Sequence, residues 1–156
     1  MSEKYHKDFG SFYLFYLSQH MRTGTRAVHY FGTWTILIGT ALAFAGPSLA
    51  TSGFLTTNAR WFLIPGTMAY MYLTAFISHW TIEKNQPATF VYPWYSVFGD
   101  LYMFWRMTTR QIVGDVRTVR ERLASGWAVD KRGFYPPEYA RANHIQTDRK
   151  MVSVAA

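Results

Sequence analysis

His79 and Glu83 stand four residues apart at the end of a long stretch without a charged side chain. On an α-helix that spacing puts a ring nitrogen and a carboxylate oxygen on one face, aimed toward one point in space, an arrangement able to hold a metal ion. Two more histidines, His20 and His29, flank the start of the other long charge-free stretch. Cysteine is absent, so a disulfide framework, a Cys-based zinc site, an iron–sulfur centre and a thiol nucleophile are all excluded, and any metal must be held by nitrogen and oxygen. Histidines with a carboxylate suit a redox-active iron ion, since three-ligand sites with open positions are where non-haem Fe(II) meets dioxygen. The candidate metal set is therefore His20, His29, His79 and Glu83.

Each candidate has a plainer reading. His29 and His79 ligate a metal or hydrogen-bond between helices. Glu83 is a ligand, a carboxylate that orients a histidine N–H, or the partner of Arg26. Arg22, Arg26 and Lys84 fall in the layer of the proposed site, where a cation receives the carboxylate of an acyl substrate or simply follows the charge bias of membrane proteins. Asp100 is a further ligand, a cap or the partner of Arg106. His6 and His144 lie in polar terminal segments and carry no expected role.

Those residues need elements to gather them. No Asp, Glu, Lys or Arg occurs from Ala27 to Ala59, nor between Arg60 and Glu83. Each block reaches the roughly 20 residues that cross about 30 Å of hydrocarbon. The expected fold is all-α: a small membrane helical bundle, two transmembrane helices in a hairpin flanked by amphipathic or interfacial helices. The first span is expected from about Arg26 to Phe44 or Leu49, with Thr25 as N-cap, and the second from near Trp61 to about Glu83. Gly32, Gly39 and Gly46 permit close approach of a neighbour within the chain or in a homo-oligomer. Phe9, Phe12, Tyr13, Tyr16 and Leu17 recur at three- and four-residue intervals before His20, as in a helix lying on a membrane surface or on the spans. A turn at Gly24 lets His20 and His29 converge, because nine residues of continuous helix, about 900°, put them on opposite faces.

Lys4, Lys7, Arg22 and Arg26 precede the first span, Lys84 and the downstream basic residues follow the second, and the loop between offers only Arg60. The positive-inside rule then sets both termini in the cytoplasm of an integral membrane protein, in the inner membrane for a bacterial chain. It also puts His29 and His79 at similar depth, and ionisable side chains at such depth are expensive enough to imply a function. Aromatics at 19% against 16% charged residues is a composition suited to lipid headgroups. A helix from Trp94 to about Thr109 continues as a basic extension to about Ala124, with Arg106, Arg110, Arg117, Arg120 and Arg122 facing anionic lipid. Residues 1–125 are read as one membrane-embedded helical domain and 126–156 as a basic, partly extended cytoplasmic tail. Membrane lipid is the expected macromolecular environment and nucleic acid is not an expected partner.

Phe15-Tyr16-Leu17-Ser18-Gln19-His20, Arg26-Ala27-Val28-His29 with Gly32-Thr33, Ser78-His79 with Glu83-Lys84-Asn85 and Pro87-Ala88, and Tyr92-Pro93 with Ser96 and Gly99-Asp100 together resemble the fungal-type 2-hydroxy fatty acid dioxygenase family, in its short bacterial branch. The resemblance runs from about Phe12 to Met107. It implies an Fe(2+)-dependent enzyme of fatty acid α-oxidation that uses O2 to cleave between C1 and C2 of a 2-hydroxy fatty acid, giving an acid one carbon shorter and carbon dioxide. His20, His29 and His79 match the family's histidines, with Glu83 as fourth ligand. The fungal proteins carry additional spans between the two His blocks, where this chain has one short loop. Two other classes fit the same residues: a membrane electron carrier with haem between His29 and His79, and a non-enzymatic adaptor that binds lipid or a partner through its basic helix.

Overall fold

The structure is a computed structural model and describes residues 5–147. Helix α1 (Phe9–Ser18) starts where the Asp8 carboxylate accepts the Ser11 N–H at 2.9 Å, an N-cap that satisfies one donor of the first turn. Phe12, Tyr13, Phe15, Tyr16, Leu17 and Ser18 are all buried, so apolar groups cover most of its circumference rather than one stripe. The chain turns at Gln19–Arg22, two residues before the expected Gly24, and enters α2 (Thr23–Leu49). Arg22 is the N-cap and has no side-chain cap bond of its own, while Thr25, expected to cap, sits inside the first turn.

Helix α2 has 27 residues, about 40 Å at 1.5 Å per residue, and its last turn absorbs Pro47. A polar connection and the 3-10 segment Asn58–Phe62 lead to α3 (Leu63–Ser78), which passes directly into a π-helical turn, His79–Glu83. The two long stretches form an antiparallel hairpin whose glycines set the spacing. A Cβ on Gly32 would stand 2.7 Å from Met71, and one on Gly39 would stand 2.7 Å from Thr67. Further along, the Arg60 guanidinium donates to the Ala43 carbonyl at 3.0 Å. Both stretches are long and apolar enough to cross a membrane. Their outward side chains, Phe31, Ile38, Phe44, Tyr70, Leu73 and Trp80 among them, are exposed.

Beyond the hairpin, α4 (Pro93–Thr108) begins with Pro93 in its first turn, where the missing N–H costs nothing. The expected continuous extension is broken: Arg110 adopts a left-handed φ of 61°, and α5 (Ile112–Ala124) folds back beside α1. The Arg106–Asp115 ion pair clasps the corner, and Asp115 also accepts the Tyr13 hydroxyl at 3.3 Å. Arg106 therefore pairs with Asp115, not with Asp100.

The stretch expected to be extended instead carries β1 (Ala128–Val129) paired antiparallel with β2 (Phe134–Tyr135), then α6 (Pro137–Ala142). Phe134 and Val129 enter the same core as Phe12, Phe15, Met103 and Val119, and the burial of Phe134 explains why the stretch is ordered. The remainder of the expected tail, from 148, lies outside the described residues. His6, given no role from the sequence, is 4% exposed: it stacks on Phe15, and its Nε2 accepts the Phe134 N–H at 3.2 Å. Its burial pushes the imidazole pKa down to about 4, so it is neutral and serves as an acceptor.

Candidate metal centre

Three histidines from three elements meet where the hairpin joins α1. His20 follows α1 by two residues, and its N–H closes onto the Leu17 carbonyl at 2.9 Å. His29 lies early in α2, and His79 opens the π-helical turn. All three are buried, at 1%, 5% and 2% exposed, and one ligand atom from each lies within 4.8 Å of the others.

The protons in this cluster follow from what faces each Nδ1. That of His20 is 2.7 Å from the Tyr16 carbonyl oxygen, that of His29 is 2.5 Å from Asp100 Oδ1, and that of His79 is 2.8 Å from Asn85 Oδ1. Asn85 is oriented by its own NH2 group, which donates to the Gln19 carbonyl at 3.0 Å. Asp100 is already an acceptor for the Tyr16 hydroxyl at 2.5 Å. Each Nδ1 therefore faces an oxygen acceptor and carries the ring proton, which leaves three Nε2 lone pairs pointing inward. The Nε2 atoms of His20 and His79 are 3.1 Å apart, and Nε2 of His29 is buried with no hydrogen-bond partner among the described residues. Opposed lone pairs at that distance repel unless a cation lies between them. Two nitrogens bound to one ion at about 2.0–2.1 Å stand about 3.0–3.4 Å apart, so the donor set fits a metal.

The surroundings keep the His20 ring neutral and packed. Burial first, then the neighbouring rings of His29 and His79, push the His20 imidazole well below its ordinary range. Burial, then the Asp100 carboxylate, push the Tyr16 hydroxyl well above its own, keeping it a donor. The Tyr16 ring also stacks on His20 with centroids 4.2 Å apart, and it fits against α4 because position 99 is glycine; a Cβ there would stand 2.9 Å from the ring.

Glu83 does not share the cluster. Its carboxylate accepts the backbone N–H groups of Met21 at 2.5 Å and Arg22 at 3.1 Å, together with the Thr25 hydroxyl at 3.0 Å. It fills the acceptor role that α2's own N-cap side chain leaves vacant, favoured by the positive end of the helix dipole. Arg26 donates to the carbonyls of His20 at 2.8 Å and Met21 at 2.6 Å, bracing the loop that carries His20. Arg22 and Lys84 are exposed at the same end of the hairpin, Lys84 in the left-handed region at φ 64°. The sequence alone offers Asp100 as a ligand, a cap or an Arg106 partner, and gives Tyr16 and Asn85 no part in the site. The one available signal was the placement of Ser96 and Asp100 a helical turn apart, which leaves Asp100 an inward face on α4.

The fold and the cluster define a helical protein whose two long apolar helices carry a buried three-imidazole site fit to hold a metal ion. Residues 6–112, more than half of the chain, match the family described as 2-hydroxy-palmitic acid dioxygenase Mpo1-like, and the chain belongs to that family. No curated protein and no solved structure matches it.

Proposed function

We propose that this chain is an integral membrane, Fe(II)-dependent dioxygenase of fatty acid α-oxidation, with His20, His29 and His79 as the protein ligands. The observation that carries the reading is the convergence of three Nε2 lone pairs, each fixed by an acceptor behind its ring, within a chain of this family. Iron bound there supplies the activation of dioxygen needed to cleave C1 from C2 of a 2-hydroxy fatty acid, yielding an acid one carbon shorter, carbon dioxide and water.

The protein's own residues do the remaining work. Asp100 holds the proton on His29 Nδ1 and makes that imidazole a stronger donor, as carboxylates behind metal-bound histidines do. Asn85 and the Tyr16 carbonyl do the same for His79 and His20 with less charge. Exposed Arg22 and Lys84 are the cations placed to receive the substrate carboxylate; Arg26 is engaged by two carbonyls and positions His20. Glu83 belongs to the helix start rather than to the ligand set. Both termini and the cluster lie on the cytoplasmic side, following the basic residues around the hairpin's open end. The haem alternative, which needs His29 and His79 as an opposed pair, is less well supported, because the three rings form a triangle with centroids 4.5, 4.6 and 5.4 Å apart and His20 faces both.

Metal analysis of protein purified without chelators, coupled to oxygen uptake on 2-hydroxypalmitate, tests the proposal. The expected result is one iron per chain and the acid one carbon shorter, with iron and turnover lost together in His29→Ala and in His79→Ala. Stoichiometric iron in the double variant, zinc in place of iron, or a Soret band overturns it.

A further inference from the structure

Helix α5 begins at Ile112, the last residue that matches the family, and the rest of it lies beyond the match. Between the two helices runs a groove of about 400 Å³ lined by Arg26, Ile112, Val113, Val116, Arg117 and Arg120. Its lining is divided between three guanidinium groups and a floor of branched aliphatic side chains; the acids beside it are Glu121, paired with Arg117 at the surface, and Glu83, engaged by the loop ahead of α2. Val113 on that floor is 73% exposed. Arg26 is held in place by the His20 and Met21 carbonyls and by the Thr23 hydroxyl at 3.0 Å. Arg117 has only a surface pair with Glu121 at 2.8 Å, and Arg120 makes no hydrogen bond or ion pair among the described residues. An exposed pair such as Arg117–Glu121 offsets little of the repulsion among three cations, and an anion seated between them lowers it.

We propose that this groove seats the phosphate of an anionic phospholipid, with the start of the lipid's apolar portion on Ile112, Val113 and Val116. The proposal rests on the membrane placement of the hairpin and not on the oxidation. Three arguments select this occupant. A free inorganic anion has no use for an aliphatic floor. A zwitterionic headgroup carries a cation that three guanidiniums repel. The groove opens beside the first turn of α2, the level at which headgroups stand around a spanning helix. Through Arg26 the seat touches the loop that presents His20, so lipid bound there steadies that loop.

Full-length protein in neutral detergent is titrated with phosphatidylglycerol or phosphatidylcholine of matched chains, and bound lipid is counted by native mass spectrometry. Phosphatidylglycerol is expected to bind preferentially. The double variant Arg117→Gln/Arg120→Gln loses about 30-fold in that binding, taking about 1 kcal/mol for each basic residue at a lipid surface. Lys131→Gln/Arg132→Gln, which removes the same charge from the β1–β2 turn, changes it less than about twofold, and Arg117→Lys/Arg120→Lys keeps the preference. Both arginines are exposed, and unchanged iron content in the glutamine variant reports an intact fold. Equal binding of the two lipids, or undiminished phosphatidylglycerol binding by the glutamine variant, overturns the proposal. So does one-for-one displacement of the lipid by 2-hydroxypalmitate, which makes the groove a substrate seat instead.

Discussion

The hairpin of α2 and α3 and the cap formed by α1, α4, α5 and the β1–β2 segment are both apolar, but they dispose of that apolarity in opposite ways. In the cap, Phe12, Phe15, Leu17 and Val119 are fully covered by neighbours within the chain. In the hairpin, Phe31, Phe44 and Leu73 are 66%, 68% and 60% exposed, and the buried positions are mostly small: Gly32, Gly39, Ala43, Gly46 and Ala75. A hairpin of that kind is stable where the surroundings are themselves hydrocarbon, because lipid offers its side chains what water does not and leaves close packing of small residues to join the helices. The cap makes its own interior and needs no such surroundings. The three imidazoles stand on the seam, one from the cap and two from the hairpin, so the site exists only while both halves are docked.

Large-to-small substitutions on the two sides break or sharpen that contrast. Phe12→Ala in the cap is expected to cost about 3–5 kcal/mol, whereas Leu73→Ala on the hairpin's outer face changes stability by less than about 0.5 kcal/mol in detergent. Denaturant or thermal unfolding of the two variants checks this, and equal losses would mean that Leu73 is covered by something other than lipid.

At the seam, Asp100→Ala is expected to weaken metal affinity by about 10–100-fold, the usual price of removing the acceptor behind a ligating histidine. Competition with a chelator measures it. Asp100→Asn keeps an acceptor without the charge and falls between the variant and wild type; an Asp100→Ala protein with wild-type affinity would remove the carboxylate from the site's design.

The smallest effect belongs to His6 in the cap. Its folded pKa, near 4, is below its ordinary value of 6.5, so the unfolded chain binds the extra proton. Above about pH 6.5 both states are neutral and His6 adds no slope; as pH falls from there toward 4, stability is lost. His6→Gln should flatten the melting temperature between pH 7 and pH 5, and an unchanged slope would show that another group sets it.

The hairpin was legible because charge is excluded from two long blocks and because the glycines repeat along one of them; nothing but a membrane or a buried bundle explains that pattern. The shared depth of His29 and His79 followed from the same blocks, and convergence of His20 followed from a turn before α2. What lay beyond reading was every contact that joins distant parts of the chain. Asp100 meets His29 across 71 residues and Tyr16 across 84, and no local pattern on α4 names either partner. Glu83 was misplaced for a related reason. Its spacing from His79 suits a shared ligand role, but the first turn of α2 lacks a capping side chain, and a buried carboxylate goes where backbone donors most need it. The stretch from Gly133 onward reads as extended, with Pro136 and Pro137 in it, yet Phe134 is a core residue that draws the segment onto the helices.

The grip of Glu83 on the loop ahead of α2 has a mechanical consequence. The same short turn that points His79 at its fellow imidazoles ends in the residue that pins the neighbouring helix by two amides and a hydroxyl, so neither helix swings aside at this end alone. Parting them means stripping a carboxylate of three donors and scattering the imidazoles in one motion. This end of the hairpin thus behaves as a single latch, shut or sprung, because the carboxylate's grip and the gathering of the rings depend on the same short turn.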